Sequence, residues 1–387
     1  MRGALAAAAL MLMPAAEAAT DDFQTTAAFA YLVDAGTGTV LFSKNGEAPM
    51  IPASTTKVMT AEVVFHEIKD GRLKLDDTFR VSEHAWRDGG TKSGGSTMFL
   101  AVNSTVRVED LLRGLIIQSG NDAAITLAEG VAGSEDGFAK LMNERARAIG
   151  MAHSHFTNPW GRGDPDHRVT ASDMARLAQW VIDTYPEFYK IFGERDFTWN
   201  KIRQPNRNPL LAMNIGADGL KTGDLAESGY GLVGSAVQND ERLIVVVNGL
   251  KTARDRANEA QKLLAWGFRT FEERTLFGPG EAVGTASVFG GERSEVALGT
   301  AKPITVLVPR GSGERLAGRI VYTGPLPAPV LKGTEVAHLV VTRGASPLVE
   351  VPLQTIEEVP VGSLGKRALD AGFELVGGFV RERLARH

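Results

Sequence analysis

The spacing of apolar residues divides the first two thirds of the chain into helices and strands. Apolar side chains that recur every three or four positions predict helices, over residues 56–69, 108–117, 123–131, 137–149, 172–183 and 256–271. Short apolar runs bounded by turn residues predict strands, over residues 28–33, 40–42, 229–236 and 242–247. Because the strand connections are mainly antiparallel, we expect an α+β domain with helices around the sheet.

The pattern changes near Leu276, where the turn cluster Gly278-Pro279-Gly280 follows. Beyond it, prolines interrupt a series of short β-rich runs, over residues 282–288, 304–308, 318–322, 336–341 and 348–353. A chain of 387 residues is long for a single hydrophobic core. The sequence therefore predicts a larger domain over residues 19–274 and a small all-β domain over residues 275–361.

The C-terminal residues 362–387 are predicted to form an amphipathic helix. One half of its helical projection carries apolar residues, namely Leu364, Ala368, Leu369, Phe373, Leu375, Val376, Phe379 and Val380. The opposite half is charged, and such a helix suits a membrane interface. Three arginines near the end favour anionic lipid headgroups, namely Arg381, Arg383 and Arg386. The alternative is a helix docked on its own domain.

Residues 1–18 have the pattern of a secretory signal peptide. Arg2 gives the positive start, residues 4–13 are apolar, and Ala16-Glu17-Ala18 fits a cleavage site. A transmembrane anchor is the alternative, but spanning a bilayer takes about 20 residues. We therefore expect cleavage after Ala18.

Composition excludes several classes of function. The net charge of −4 gives no reason to expect a nucleic-acid partner. With no cysteine in the chain, disulfides, thiolate zinc sites and cysteine nucleophiles are excluded. The seven histidines show no spacing typical of metal ligands. We expect neither a metal nor a cofactor.

Three short motifs follow one another in the larger domain. They are Ser54-Thr55-Thr56-Lys57, Ser119-Gly120-Asn121 and Lys221-Thr222-Gly223. Each is weak alone, since the second is typical of a turn and the third of an exposed loop. Together they supply a serine, a nearby lysine base, a second hydroxyl and a lysine for an anion. This set predicts acyl transfer through a serine nucleophile.

A serine hydroxyl needs a base to become a good nucleophile. Ser54 and Lys57 share a face if Ser54 stands at a helix N-terminus, and the preceding Pro52 favours that start. Lys57 serves as base only when neutral, so burial or a second cation must lower its pKa. Lys221 is the candidate for that cation. The helix N-terminus also offers backbone N–H groups to an oxyanion.

The other two motifs hold candidate substrate-binding groups. Ser119 can relay a proton to a leaving amine, and Asn121 offers a donor and an acceptor to a substrate amide. Lys221 and Thr222 can bind a carboxylate, and Gly223 permits close backbone approach.

In this order, the motifs make the chain resemble the penicillin-recognising serine enzymes. It is most similar to the low-molecular-mass penicillin-binding proteins that are D-alanyl-D-alanine carboxypeptidases. The resemblance covers residues 25 to about 360 and the tail. It rests on the motifs and on stretches around them, namely residues 52–60, 98–100, 117–123, 155–158, 172–175 and 264–269.

The resemblance implies a fold and a set of roles. The fold is the penicillin-binding-protein and β-lactamase type, with an antiparallel sheet, flanking helices and an all-helical part. Ser54 would be acylated by a peptidoglycan stem peptide ending in D-Ala-D-Ala, or by a β-lactam. The implied oxyanion hole is the backbone N–H groups of Ser54 and Asp224. Arg256 matches a family arginine near the carboxylate site. The implied location is periplasmic, with the tail on the inner membrane.

The residues after the third motif depart from the family pattern. The family usually has a small polar residue or histidine and then threonine, whereas this chain has Asp224 and Leu225. An acidic side chain pointing inward should weaken anion binding. A class A β-lactamase is disfavoured, because no E-x-x-L-N pattern follows the second motif. An endopeptidase and a non-catalytic wall-binding protein remain open alternatives.

Overall fold

The computed structural model describes residues 23–311, 313, 315–344 and 346–367. These residues form two compact units, Phe23–Phe271 and a second that begins at Glu272. The predicted signal peptide and residues 368–387 of the predicted tail helix lie outside the described residues.

The first unit combines helices and strands, as the sequence predicts. Its helices are α1 Lys57–Lys69, α2 Glu83–Asp88, α3 Val108–Ile116, α4 Asn121–Ala132, α5 Glu135–Ile149, α6 Ala171–Thr184, α7 Pro186–Tyr189 and α8 Ala253–Thr270. Its strands are β1 Phe29–Asp34, β2 Val40–Lys44, β3 Thr78–Arg80, β4 Thr105–Arg107, β5 Asp196–Trp199, β6 Ile202–Pro205, β7 Ala217–Leu225, β8 Gly229–Gln238 and β9 Glu241–Leu250. Short 3-10 helices include Ala53–Thr56 and Thr91–Ser93.

A five-stranded antiparallel sheet forms one layer of this unit. Its strand order is β2-β1-β9-β8-β7, so β7 is an edge strand. The four strands predicted from apolar runs are confirmed. Strand β7 was not predicted, because its sequence carries glycine and charged residues instead of an apolar run. An edge strand tolerates that composition, since one side of it has no neighbouring strand.

Helix α1 is buried around most of its circumference, which places it in the centre of the helical part. It packs in one apolar core with α3, α4, α5 and α6. The six predicted helices are confirmed, but four of them, α4, α5, α6 and α8, begin one to three residues earlier than predicted. Helix α6 begins after Thr170, whose hydroxyl accepts the N–H of Asp173, and not at Ser172. Helix α8 begins after Thr252, whose hydroxyl accepts the N–H of Asp255.

The second unit is an all-β domain, as predicted. Its strands are β10 Phe271–Phe277, β11 Gly284–Phe289, β12 Glu295–Gly299, β13 Ile304–Pro309, β14 Leu316–Tyr322, β15 Leu326–Pro327, β16 Glu335–Arg343 and β17 Ser346–Thr355. Six of them form a sheet in the order β14-β16-β17-β12-β11-β15, and β10 pairs with β13. Alternate residues of these strands build a separate apolar core. Within the described residues, no helix has the length and apolarity to cross a membrane.

Candidate active site

The first motif places a serine against a buried lysine. Ser54 lies in the 3-10 helix Ala53–Thr56, and Lys57 is the first residue of α1. The Lys57 Nζ lies 2.9 Å from Ser54 Oγ and donates to the carbonyl oxygen of Trp160 at 2.7 Å. Ala53, just before the serine, has φ +49°, a strained value for a residue other than glycine. The tight backbone turns the hydroxyl towards the amine.

The electrostatics of Lys57 favour its neutral form. Its side chain is fully buried, and burial lowers its pKa well below the usual value. The charges of Lys221 and Arg207 lower the pKa further, while Asp122 and Asp224 oppose them. The sequence argument that Lys221 supplies a second cation therefore agrees with the structure, although burial is the larger cause.

The second motif forms a turn that leads into α4. Ser119 is buried and has φ +66°, and Asn121 is the first residue of α4. The Asn121 Oδ1 is buried and has no hydrogen-bond partner among the described residues. The next residue, Asp122, accepts hydrogen bonds from the hydroxyl of Thr97 at 2.6 Å and from backbone N–H groups. Asn121 therefore carries a buried acceptor without a partner, next to a carboxylate that is fully engaged in hydrogen bonds.

The third motif lies within the edge strand β7, and not in a loop before the strands. Lys221 is buried, and its Nζ donates to the carbonyl oxygen of Thr222 at 3.0 Å. Burial, followed by the charges of Arg207 and Arg256, lowers the pKa of Lys221 to about 7. Thr222 is also buried. An amine and a hydroxyl are thus carried by consecutive buried residues of an edge strand.

Gly223 brings this strand against the nucleophile. A Cβ at Gly223 would lie 2.9 Å from Pro52 O, Ser54 N and Thr55 N. Real Cβ atoms do not approach backbone atoms so closely, so a larger residue would displace one of the two segments. The close approach that Gly223 allows is to the backbone around Ser54, and its role in binding a substrate stays a prediction.

Two arginines add positive charge beside β7. Arg256 on α8 is 8% exposed; its guanidinium lies 3.5 Å from the Gly223 carbonyl oxygen and over the Tyr230 ring. Arg207, which the sequence analysis missed, lowers the pKa of both Lys57 and Lys221. A lone arginine in the loop after β6 carries no sequence signal of its own. Only the fold brings its charge to the site.

Asp224 offsets part of this positive charge. Its side chain is exposed, at the end of β7, and does not point into the protein interior. Its charge nevertheless raises the pKa of Lys57, Lys221 and Arg256 relative to the values they would have without it. The departure from the family pattern therefore weakens the positive potential at the anion site without blocking it.

His167 supports the backbone beneath the first motif. Its ring is buried, and its Nδ1 accepts the backbone N–H of Thr157 at 3.1 Å. The proton of the neutral ring is therefore on Nε2, which donates to the Thr56 hydroxyl at 2.9 Å. Burial lowers the pKa of His167 to about 4.

The unfolding free energy is expected to fall as the pH drops from 6.5 towards 4. Between these pH values His167 is protonated in the unfolded chain and neutral in the folded chain. The contribution of neutral His167 to the unfolding free energy is therefore complete above pH 6.5 and is lost as the pH falls towards 4. The complete loss is about 3 kcal/mol, of which about 2 kcal/mol is reached at pH 5. Urea unfolding at pH 7.5 and 5 measures it. The fall in unfolding free energy between pH 7.5 and 5 should be smaller in His167→Gln and unchanged in the exposed control His153→Gln. An equal fall in both variants would contradict the prediction.

These groups include the kinds that acyl transfer through a serine requires. Ser54 contacts Lys57, whose lowered pKa favours the neutral amine, and the second motif supplies a buried serine followed by an unpaired amide oxygen at the start of α4. A cluster of lysine and arginine side chains suits an anionic end of a substrate. The strand beside them has a free edge for an extended peptide.

Comparison with known proteins identifies the family. The family model described as D-alanyl-D-alanine carboxypeptidase matches residues 15–252, and that for the C-terminal domain of penicillin-binding protein 5 matches residues 271–361. The D-alanyl-D-alanine carboxypeptidase DacC of Escherichia coli is 43% identical over 342 residues, which cover 88% of this chain and 86% of the relative. DacA of Haemophilus influenzae is 37% identical over 347 residues, covering 89% and 88%.

Solved structures agree with the sequence comparison. Penicillin-binding protein 5 from Haemophilus influenzae superimposes with a TM-score of 0.75 at 37% identity, over 88% of this chain and 99% of that one. The fold class expected from the resemblance, an α+β peptidase domain followed by an all-β domain, is thereby confirmed. The chain belongs to the D-alanyl-D-alanine carboxypeptidase family of serine peptidases.

Proposed function

We propose that this enzyme removes the terminal D-alanine from peptidoglycan stem peptides that end in D-Ala-D-Ala. The observation that carries the proposal is the contact between Ser54 Oγ and a fully buried lysine whose pKa is lowered. The names of the relatives give the same activity. β-Lactams, which mimic the peptide, are proposed as the inhibitors that occupy the same site.

The chemistry begins with proton transfer from Ser54 to neutral Lys57. The serine oxygen attacks the carbonyl carbon of the penultimate D-alanine, and the backbone N–H groups of Ser54 and Asp224 bind the oxyanion. As the peptide bond breaks, the Ser119 hydroxyl relays a proton to the leaving nitrogen, and free D-alanine departs. Water then attacks the Ser54 ester, which releases the shortened peptide and restores the serine.

Binding of the substrate uses the second and third motifs. We assign the terminal carboxylate to Lys221 and Thr222, with Arg256 adding charge behind the strand. The unpaired Asn121 Oδ1 accepts an amide N–H of the substrate. The edge of β7 pairs with the peptide backbone next to Gly223. No metal or cofactor takes part in this scheme.

Benzylpenicillin should form a covalent adduct on the mature protein, and Ser54→Ala should form none. The adduct is expected because the ring carbonyl takes the place of the peptide bond while the acyl group stays on Ser54. Intact mass spectrometry of both proteins, with D-alanine release from a pentapeptide measured in parallel, is the test.

Other outcomes have distinct meanings. Free protein together with hydrolysed penicillin would indicate a β-lactamase. Full D-alanine release by Ser54→Ala would exclude the serine mechanism. If the protein formed no adduct and hydrolysed no penicillin, the result would favour a non-catalytic wall-binding protein.

Asp224→Asn should be acylated by benzylpenicillin about two to five times faster than the unmodified protein at pH 6. The change removes a negative charge beside the proposed carboxylate site, at a pH where Lys221 is largely protonated. The gain should shrink in high salt, which screens exposed charges. Glu227→Gln, in the turn between β7 and β8, is the matched control. An unchanged or lower rate for Asp224→Asn would contradict the prediction.

We propose four segments and a location for the chain. They are a signal peptide over residues 1–18, a catalytic domain over residues 19–274, a β domain over residues 275–361 and a membrane-associating helix over residues 362–387. The secretory pattern supports a periplasmic protein, and the amphipathic tail supports attachment to the inner membrane. Sedimentation with anionic vesicles should carry down the mature chain and leave a chain ending at residue 361 in solution. Equal sedimentation of the mature chain and of the chain ending at residue 361 would favour a tail helix docked on its own domain.

A further inference from the structure

The orientation of the catalytic amine depends on a carbonyl group outside the three motifs. Neutral lysine has two N–H bonds and one lone pair. For the lone pair to face the Ser54 hydroxyl, the N–H bonds must point elsewhere, and the Trp160 carbonyl oxygen accepts at 2.7 Å from Lys57 Nζ. Movement of that carbonyl would therefore turn the lone pair away from the serine.

The backbone at Trp160 is held from one side by Asn158. The buried Asn158 Oδ1 accepts the N–H groups of Gly161 at 2.8 Å and Arg162 at 2.9 Å. Gly161 has φ +84°, and a Cβ there would meet the Ala53 backbone. The segment thus packs directly against the residue before the nucleophile.

The other anchor is the tryptophan side chain. The Trp160 Nε1 donates to Glu135 Oε2 at 2.9 Å, in the first turn of α5. The second oxygen of Glu135 lies 2.7 Å from His84 Nε2, whose Nδ1 lies 2.6 Å from Asp88. The Glu135 side chain is only 18% exposed, so these bonds are partly shielded from water.

The same carboxylate also ties in the segment beside the second motif. His84 and Asp88 lie on α2, and the next residue, Gly89, accepts the N–H of Asp122 through its carbonyl oxygen at 3.1 Å. Arg87 on α2 contacts Glu83 and Asp88, so it joins this group through Asp88 and not through Glu135. Lys92 lies over the Trp86 ring. Among the described residues, the hydrogen bonds that connect Trp160 to α2 therefore pass through Glu135.

We propose that Glu135 is a positioning residue for acylation: its bond to the Trp160 indole fixes the carbonyl that orients the Lys57 amine. The proposal rests on the proposed role of Lys57 as the base for Ser54. Among the described contacts Glu135 does not reach Ser54, so its proposed effect on the Lys57 amine passes through Trp160, while its bond to His84 ties in α2.

The test compares acylation by benzylpenicillin, as a second-order rate constant between pH 6 and 9, across a set of variants. Glu135→Ala and Trp160→Phe each remove the same bond and should each lower the plateau rate about tenfold. The double variant should be no slower than Glu135→Ala, because the bond that Trp160→Phe removes is already lost in Glu135→Ala. Glu135→Gln keeps an acceptor for the indole and should stay within about twofold of the unmodified protein at pH 8.

The pH profile separates positioning from general destabilisation. A fixed carbonyl favours the charged form of Lys57, so loss of the anchor should move the rising limb of the rate to lower pH. Asp136→Asn is the matched control, since Asp136 lies in the same first turn of α5 and is exposed. Asp136→Asn should change neither the plateau acylation rate nor the pH at which the rate rises. Thermal unfolding of every variant shows whether it is folded.

Three results would overturn the proposal. They are unchanged rates in folded Trp160→Phe, additive losses in the double variant, and an equal loss in Asp136→Asn. Ser54→Ala, run in parallel, tests the proposed function separately. An adduct on Ser54→Ala would reject the proposed nucleophile, whereas no adduct there with normal acylation of Trp160→Phe would reject the positioning role alone.

Discussion

Lys57→Met is expected to be acylated by benzylpenicillin about a thousandfold more slowly than the unmodified protein. The Lys57 side chain is fully buried. Its amine is hydrogen-bonded to the Ser54 hydroxyl and can act as the base for it. Methionine fills a similar volume but carries no base. It leaves the serine hydroxyl and the Trp160 carbonyl without this partner, which costs about 1–3 kcal/mol, offset in part because no amine is buried.

Stopped-time intact mass measurements with excess penicillin give the rate. Lys69→Met, at the exposed end of the same helix, is the control, because among the described residues Lys69 contacts Glu187 and the Thr184 carbonyl oxygen, both away from Ser54. It should react as the unmodified protein does. A rate for folded Lys57→Met within tenfold of normal would show that another group is the base.

Gly223→Ala is expected to lower the acylation rate about a hundredfold or more. The added methyl group would lie 2.9 Å from three backbone atoms at residues 52, 54 and 55, and backbone cannot turn aside as a flexible side chain does. Either β7 or the nucleophile segment must shift, so that Ser54 and the proposed oxyanion donors lose their alignment. Overpacking of this kind also costs about 1–3 kcal/mol of stability.

Gly163→Ala provides the matched control for this methyl group. A Cβ at Gly163 meets its nearest atom, in Leu225, at 4.0 Å, which is ordinary contact. Its acylation rate should stay near normal. If Gly223→Ala were acylated as fast as Gly163→Ala, the contact between β7 and the nucleophile segment would have no part in catalysis.

The helices and the inner strands were predictable because each carries a regular apolar pattern. Helix α5 has one apolar face, and β9 has an unbroken buried run, so local spacing alone reports their packing. The starts of α6 and α8 were predicted too late, since the capping hydroxyls of Thr170 and Thr252 begin these helices ahead of the apolar residues. Strand β7 was not predicted because Leu220 is the one large apolar residue in its buried stretch, which otherwise consists of Gly219, Lys221, Thr222 and Gly223.

The three motifs allowed the candidate residues to be chosen without a structure. Their residue types and order point to one kind of chemistry, and the family comparison agrees with that choice. Arg207, Trp160 and Glu135 were not predictable, because a single charged or aromatic residue in a loop or first helical turn looks the same whether or not it serves a site.

The sequence by itself determined the fold class, the chemical groups and the family resemblance, since these follow from short-range spacing and residue type. Only the tertiary structure decided the state of those groups. The lowered pKa of Lys57 arises from its complete burial and from charges at Lys221 and Arg207, which lie far along the chain. Burial and Coulomb interactions depend on distances through space, and a linear pattern does not contain those distances.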